Sequence, residues 1–330
     1  MNPKAIARTA LTFLGSSYYR LRATKPLWLT LNREARRLYQ HHPQALSSPE
    51  AKAAQSLQET GIAVTAMSDF FPPGTFEALA HYARTRWQSP EVASAAGRHR
   101  EVLTGTRAKT EASKKAFLVN LWPGEPVLDL SHPFIRFSLS DPILKIVNAY
   151  LGLWAKFRAW RLEATIPMPE GVGARASQRW HRDEEDQKLV KVFLYLSDVD
   201  EMSGPFMYLK HSHAGGKWRY IFPLAPPRGS RKMPPNEDGY IPKGDVLVCT
   251  AKAGTLIFCD TTGLHKGGLI TAGGESRLMY TSVYTSSASP WPIRYRYPST
   301  WLGISPSGLS PMARYAAEND PNQREPRFYR

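Results

Sequence analysis

The sequence predicts a mainly β fold, an antiparallel sandwich or barrel, with α-helices flanking it. After Gly152, short runs rich in β-branched and aromatic residues follow one another and are separated by turn residues. No helical pattern of convincing length lies between them, so the crossover helices of a parallel sheet are missing. The runs are AKFRAWRLEATI, KLVKVFLYLSDV, PFMYLK, DVLVCTA, GTLIFCDTT, LITA and RLMYTSVYTS.

The first half of the chain predicts the flanking helices. Residues 4–44 read as helical with interruptions at prolines. The stretch SSPEAKAAQSLQETG predicts a helix with Ser48 as its cap, Pro49 in its first turn and Gly61 as its end, and a short strand, IAVTAM, follows it. A second amphipathic helix follows the turn at residues 68–74.

Three further segments complete this half. Residues 89–115 are polar and weakly patterned, so we expect a loop there. AFLVNLW predicts a strand. The pattern DPILKIVNAYLG predicts a helix with Ser140 as its cap and Pro142 in its first turn.

The composition limits the class of protein. A chain of 330 residues with 42% hydrophobic residues is long enough for one large globular domain. No apolar run approaches the roughly 20 residues of a membrane-spanning helix. Cys249 and Cys259 lie in apolar strands, so we expect buried, unreactive thiols and a reducing compartment. The expected location is cytoplasmic, or mitochondrial in a eukaryote, because the first 25 residues have the composition of a transit peptide.

Positive charge is concentrated at the beginning of the chain. Residues 1–45 hold eight basic side chains against one acid, which is a surplus of seven within a net charge of +15. Two interpretations stay open: a solvated, partly helical extension, or a segment that contacts a membrane surface or an acidic partner. Nucleic acid is not favoured, because no basic groove with interleaved aromatic residues recurs elsewhere.

A Pro- and Gly-rich insertion, residues 214–243, lies between two predicted strands. About 30 irregular residues inside a compact domain are typical of a functional loop or lid. The insertion is net positive, so we expect Arg231 and Lys232 to contact an anionic substrate.

The stretch RWHRDEED predicts two metal ligands. A His-x-Asp pair alone is weak, because chance produces one in about half of such chains. Here the pair directly precedes a strong strand pattern, and on a strand residues i and i+2 point to the same side. His181 and Asp183 can therefore bind one metal ion. We expect the acids that follow, residues 184–186, to form a solvated turn.

A third ligand and a cation follow later in the chain. His265 comes after the apolar strand GTLIFC and a turn. Two imidazoles and one carboxylate form the facial triad of non-haem Fe(II) oxygenases, which leaves three positions open. Arg277 begins the next strand, and an Arg fork matches the distal carboxylate of a chelating cosubstrate.

The string HRD, 81 residues, His, 11 residues and Arg resembles the phytanoyl-CoA dioxygenase family of Fe(II)/2-oxoglutarate oxygenases. YLSDVDEMSGPFMYLKHSH and AKAGTLIFCDTTGLHKGG also resemble segments of that family. The resemblance implies a double-stranded β-helix, that is, a jelly-roll or cupin-like barrel. It implies a dioxygenase domain over residues 51–290, a basic extension over 1–50 and a packed tail over 291–330.

The resemblance also implies the chemistry. His181, Asp183 and His265 would hold Fe(II), with 2-oxoglutarate and O2 as cosubstrates. The products would be succinate, CO2 and a hydroxylated small or lipid-like metabolite, and the basic insertion favours an anionic one. Halogenating relatives replace the carboxylate with a small residue, so Asp183 favours hydroxylation, desaturation or cyclisation. The alternatives are a non-catalytic barrel that only binds, and an oxygenase recruited to membrane- or carrier-linked substrates by its basic N-terminus.

The chain departs from the family at two positions. His211 stands where a Gly is usual. Met279 lies two residues beyond Arg277, where relatives offer a hydroxyl to the cosubstrate, so a second anchor has to come from elsewhere. Lys191, on the strand face with Phe193 and Tyr195, is the candidate, and a surface charge is the alternative.

Overall fold

The computed structural model describes residues 21–22, 24–106, 114–221, 239–298 and 308–318. Its strands are β1 (Ile62–Ala66), β2 (Leu118–Asn120), β3 (Lys156–Thr165), β4 (Leu189–Tyr195), β5 (Phe206–Leu209), β6 (Val246–Cys249), β7 (Thr255–Cys259), β8 (His265–Gly267) and β9 (Arg277–Thr285). Its α-helices are α1 (Lys25–Leu31), α2 (Arg33–His41), α3 (Ser48–Thr60), α4 (Thr75–Trp87), α5 (Pro90–Thr104), α6 (Pro133–Ser138), α7 (Asp141–Leu151) and α8 (Pro311–Ala317).

The strands form two antiparallel sheets. The larger sheet has the order β1-β7-β4-β9-β3-β2, and the smaller has the order β6-β5-β8. An isolated antiparallel bridge between His181 and His265 extends the smaller sheet by one further position. From β3 onwards, β3, β4, β7 and β9 lie in the larger sheet, and the His181 bridge, β5, β6 and β8 lie in the smaller one, so the chain passes repeatedly from one sheet to the other. This alternation is that of a double-stranded β-helix, so the predicted jelly-roll barrel with flanking helices is confirmed.

The larger sheet is buried on both faces, which explains its unusually apolar strands. On β4, Val190, Val192 and Leu194 pack in the main core with the helices, whereas Phe193 and Tyr195 pack inside the barrel. The side-chain period of two divides the strand between these two environments. Lys191 therefore lies on the interior face of the sheet.

Helices α3 and α7 pack against one another outside the larger sheet. Their ends follow from local chemistry. The expected Ser48 cap is wrong by one residue, because Ser47 caps α3 in a capping box with Glu50. Gly61 ends the helix in the left-handed region, as expected. Ser140 precedes α7, and Gly152 ends it in the same way. No helix in the described residues is long and apolar enough to cross a membrane.

The expected loop over residues 89–115 is wrong for most of its length, because α5 occupies Pro90–Thr104. Ser89 caps this helix, Pro90 occupies its first turn and Gly105 ends it. Its buried stripe is narrow, with Val92, Ala96 and Leu103 as the buried residues. A polar helix with so few apolar positions lacks the periodic signal on which the sequence prediction depended.

The described parts of both ends of the chain contact the barrel. In the N-terminal segment, Trp28 is buried and its indole donates to Asp186, and the Ala288 amide donates to Asn32. In the tail, α8 lies against β3, where Lys156 donates to the Tyr315 carbonyl at 2.8 Å.

Candidate metal centre

His181 and His265 lie directly opposite one another in the barrel. The backbone of each donates to the carbonyl of the other at 3.0 Å, as in a hydrogen-bonded antiparallel pair. Opposed residues of such a pair project to the same face, and the centroids of the two imidazole rings lie 4.2 Å apart. The first predicted ligand and the third, 84 positions later, are thus joined by backbone pairing.

Each imidazole has its orientation fixed by a carbonyl oxygen. His181 Nδ1 lies 2.8 Å from the Arg179 carbonyl, and His265 Nδ1 lies 2.9 Å from the Gly263 carbonyl. A carbonyl only accepts, so Nδ1 carries the proton in both rings. The lone pair of each ring is therefore on Nε2, the arrangement that outer hydrogen bonds give to metal-binding histidines.

Asp183 completes a cluster of three potential ligands. Its amide donates to the Thr261 carbonyl at 2.8 Å, which fixes the backbone beside the turn that leads to His265. Its Oδ2 lies 3.5 Å from His265 Nε2. One potential ligand atom from each of the three residues lies within 4.8 Å of the other two, so a single ion can reach all three.

The protonation states suit metal binding. Burial lowers the pKa of His181, and burial together with His181 lowers the pKa of His265 to about 3. Both rings are therefore neutral near pH 7. Burial alone would raise the pKa of Asp183, but Lys191 and the two histidines outweigh it and keep the group a carboxylate.

Two cavities meet at the metal cluster. The inner chamber, of about 180 Å³, extends into the barrel and is lined by Lys191, Phe193, Phe206, Arg277 and Met279, among others. The outer chamber, of about 850 Å³, opens towards solvent between β3 and the segments around residues 176–185 and 291–294. His181 and Asp183 line both chambers, so a bound ion would face a small closed space and a large open one.

Arg277 is the cation of the inner chamber. It begins β9 and is 4% exposed. Its Nη2 donates to Thr165 Oγ1 at 3.2 Å, but Nε and Nη1 have no hydrogen-bond partner among the described residues. Burial lowers the pKa of Arg277 while nearby Tyr195 and Glu163 raise it, and the group stays cationic. A buried guanidinium with unpaired donors is a site for an anionic ligand.

Lys191 lies in the inner chamber, but its ammonium is engaged with the metal cluster. Its Nζ lies 2.6 Å from Asp183 Oδ2, and the two side chains are 17% and 13% exposed. Burial alone would lower the pKa of Lys191, and Asp183 and Glu185 raise it above its ordinary value. The surface-charge alternative is wrong, and the role of second cosubstrate anchor stays a prediction.

The expected solvated turn over residues 184–186 is wrong for Asp186. This side chain is 3% exposed and accepts from the Trp28 indole at 2.8 Å and from the Ser286 amide at 2.7 Å. Burial raises its pKa, against the hydrogen bonds from Ser286. Asp186, which lies three residues after Asp183, therefore links the N-terminal helix α1 to the end of β9. Nothing local in the sequence indicates such a link.

Arg182, between the two predicted ligands, was not expected to matter. Its side chain is 3% exposed, and burial lowers its pKa to about 10. Its guanidinium binds main-chain oxygens from the turn before His265 and from the beginning of the insertion. These are the carbonyls of Ser212, Thr262, Trp218 and Ile221.

Other predicted residues have the following positions. Arg231 and Lys232 lie outside the described residues. His211 has a positive φ of 61°, a conformation that Gly adopts freely and His more readily than most residues. Asp260 accepts from the Thr262 amide at 2.9 Å and so caps the turn that leads to His265.

The sequence reasoning missed the wall of the outer chamber. Arg161 and Glu163 on β3 line both chambers, as does Lys115. The alternation in the second half of β3 was the available signal, because Arg161, Glu163 and Thr165 share one face there and the residues between them are apolar.

No protein-family model matches the chain, and a search of curated proteins finds no match. Among solved structures, EctD from S. alaskensis with 2-oxoglutarate and 5-hydroxyectoine is 16% identical, with a TM-score of 0.49 over 85% of this chain and 92% of that one. The epimerase SnoN, in complex with Fe3+, alpha ketoglutarate and nogalamycin RO, is 13% identical, with a TM-score of 0.47 over 84% and 97%. The carbocyclase SnoK from nogalamycin biosynthesis is 16% identical, with a TM-score of 0.43 over 73% and 84%. Such similarity concerns the fold, so activity has to be argued from the site.

Proposed function

We propose that the chain is an Fe(II)- and 2-oxoglutarate-dependent dioxygenase that hydroxylates an unactivated C–H bond of a small or lipid-like metabolite, with release of succinate and CO2. One observation carries the proposal. Two neutral imidazoles and a carboxylate converge at the boundary of two chambers, and the inner chamber contains a buried arginine with unpaired donors.

The residues fit the metal. His181 and His265 would bind through Nε2, and Asp183 would bind through a carboxylate oxygen, which is a donor set suited to Fe(II) with open positions. When bound, the iron supplies activation of O2 coupled to decarboxylation of the 2-oxo acid. The protein holds the imidazoles in one orientation through the Arg179 and Gly263 carbonyls, so little rearrangement is needed on binding.

The inner chamber fits a small dicarboxylate. Arg277 would pair with the distal carboxylate of 2-oxoglutarate through the donors that no described residue uses. Phe193, Phe206 and Met279 in the chamber wall would exclude water from the bound cosubstrate. Lys191 is the proposed second contact, because an ion bound to Asp183 would weaken the Lys191–Asp183 ion pair and free the ammonium for the cosubstrate.

The carboxylate of Asp183 bears on the reaction type. It would fill the position that a halide needs, so we propose oxygen insertion, with desaturation or cyclisation as variants of the same oxidation. Arg231 and Lys232 are retained as proposed substrate contacts, to be tested by charge reversal and the substrate KM.

The experiment is an anaerobic titration of the metal-free protein with Fe(II) and 2-oxoglutarate. We expect a visible charge-transfer band that His181→Ala abolishes and that His81→Ala, at an exposed position on α4, leaves unchanged. Arg277→Met should raise the 2-oxoglutarate concentration at which the band reaches half of its maximal absorbance. If neither a band nor uncoupled succinate release in air is observed, the barrel is a binding module and the enzyme proposal fails.

The basic N-terminus carries a separate proposal, recruitment to an anionic membrane or carrier. In the described part of this segment, Lys25, Arg33 and Arg37 are exposed. Co-sedimentation with vesicles containing phosphatidylserine should pellet the full chain at low salt and not a variant with these three residues changed to Gln. Equal pelleting of both proteins would contradict recruitment through this surface.

A further inference from the structure

The outer chamber has a rigid aromatic wall. Trp122 and Trp160 are 8% and 4% exposed, and their ring centroids lie 5.2 Å apart at 63°. Trp291 lies on the same chamber, close to the metal cluster, since it lines the inner chamber as well. Buried indoles held by their neighbours offer flat, apolar surface at low entropic cost, which suits a ring-shaped or flat ligand.

Arg161 provides an unpaired positive charge in this chamber. It is exposed to solvent and forms no hydrogen bond or ion pair with any residue in the described part of the chain. Lys115, which also lacks such a partner among these residues, lies close enough that Arg161 adds to burial in lowering the Lys115 pKa. Glu163, Glu184 and Glu185 line the same cavity, but no described residue forms an ion pair with either cation, so both remain available to an anionic ligand.

The nearby acids act on other groups. Glu163 raises the pKa values of Lys115 and Arg277, and Glu185 raises that of Lys191. Neither acid pairs with Arg161 in the structure.

Arg161 lines both chambers, but the spacing along β3 separates it from Arg277. Thr165, which contacts Arg277, follows Arg161 by four residues, so their Cα atoms are about 13 Å apart. A ligand anion at Arg161 and a carboxylate at Arg277 are therefore far enough apart that they need not compete.

We propose that the outer chamber is the substrate site, and that Arg161 binds a carboxylate or phosphate of a substrate whose flat or cyclic body lies against the three tryptophans. This inference rests on the proposed function for the reaction that follows, but the binding itself does not require iron. Arg161 is thus the specificity-determining residue, and it sets the distance from the substrate anion to the oxidised carbon.

The test is calorimetric binding of matched probes to the full-length, metal-free chain. The probes are 2-naphthoate, 2-naphthyl phosphate and neutral 2-naphthamide. We expect at least one anion to bind more tightly than the amide, and Arg161→Gln to weaken that anion about 10-fold or more while leaving the amide unchanged. Arg161→Lys should restore part of the affinity, and Arg98→Gln, at an exposed position on α5, is the control for lost charge.

The outcomes separate the inference from the proposed function. Tighter binding of 2-naphthoate or of 2-naphthyl phosphate shows whether the substrate's anionic group is a carboxylate or a phosphate. Loss of binding in Arg277→Met rather than in Arg161→Gln would place the probe in the inner chamber and overturn the inference. Equal affinity for anions and amide would overturn it as well. The Fe(II) and 2-oxoglutarate band is measured on the same Arg161→Gln protein, and it should be unchanged. A missing band in wild type, with Arg161-dependent anion binding intact, would refute the enzyme and leave the anion site standing.

Discussion

Replacing Lys191 by Met tests whether the ammonium serves Asp183 or the cosubstrate. The pair Lys191–Asp183 and the pair Lys252–Asp198 have nearly the same N–O distance, 2.6 and 2.7 Å. Their side chains differ in exposure, at 17% and 13% against 88% and 59%. Lys252→Met is therefore a matched control in which the geometry is kept and the burial is changed.

The expected magnitude follows from this burial. Removing one partner of a fully buried pair costs about 3–5 kcal/mol, and the residual exposure of this pair reduces that to about 2–3 kcal/mol. Unfolding entropy scales with chain length and is roughly 0.7 kcal/mol/K for 330 residues. Lys191→Met should therefore lower the Tm of the metal-free protein by about 3–4 °C, and Lys252→Met should leave it unchanged within error.

Differential scanning calorimetry with and without Mn(II) completes the assay. Mn(II) takes the same kind of ligands as Fe(II) without redox chemistry. It competes with the ammonium for Asp183 in the wild type only, so the Mn(II)-induced rise in Tm should be larger in Lys191→Met. A similar Tm for both variants would refute the reasoning from burial. A KM for 2-oxoglutarate that rises about 10-fold in Lys191→Met would show that the lysine also binds the cosubstrate.

Three further predictions concern the surroundings of the site. Arg182→Met should lower the free energy of unfolding by about 3 kcal/mol or more, because several buried carbonyls lose a charged donor. Urea unfolding measures this loss, and weaker Mn(II) binding should accompany it. Trp28→Phe keeps an aromatic ring but removes the hydrogen bond to Asp186 and part of the buried indole, so the free energy of unfolding should fall by about 2–4 kcal/mol in the same assay; an unchanged midpoint would contradict the link. Burial lowers the pKa of His132 against the opposing effect of Asp129. Stability from this group is complete above the unfolded pKa of about 6.5 and is lost as the pH falls below it, so His132→Asn should flatten the acid limb of a Tm-against-pH profile.

The candidate ligands could be predicted because strand chemistry is local. The period of two puts His181 and Asp183 on one face, and the apolar run before His265 marks the strand that leads to it. The pairing of His181 with His265 could not be read from the chain, because 83 residues separate them and the register depends on how the sheets close. The same limit applies to Lys191. The sequence showed that it shares a strand face with Phe193 and Tyr195, but not whether that face points into the barrel or towards solvent.

Residues with several partners were the ones that sequence reasoning misjudged. Asp186 was interpreted as part of a solvated turn, because three consecutive acids are usually exposed. It is buried because a tryptophan from α1 and an amide after β9 donate to it, and these two segments lie 158 and 100 residues away. Arg182 likewise shows no local signal, since it binds distant carbonyls. The alternation of β3 could assign Arg161 to a strand face, but it could not show that this face lines a cavity formed by several segments.

The sequence by itself determined the barrel, its flanking helices and the three candidate ligands, because apolar periodicity and residue chemistry act over a few positions. Only the tertiary structure decided which side of each strand faces the chambers, which charges are paired and which remain open to a ligand. The physical reason is that burial and electrostatics depend on distance in space. The ammonium of Lys191 and the guanidinium of Arg161 belong to similar strand patterns. Asp183 pairs with Lys191, whereas no described residue forms an ion pair with Arg161.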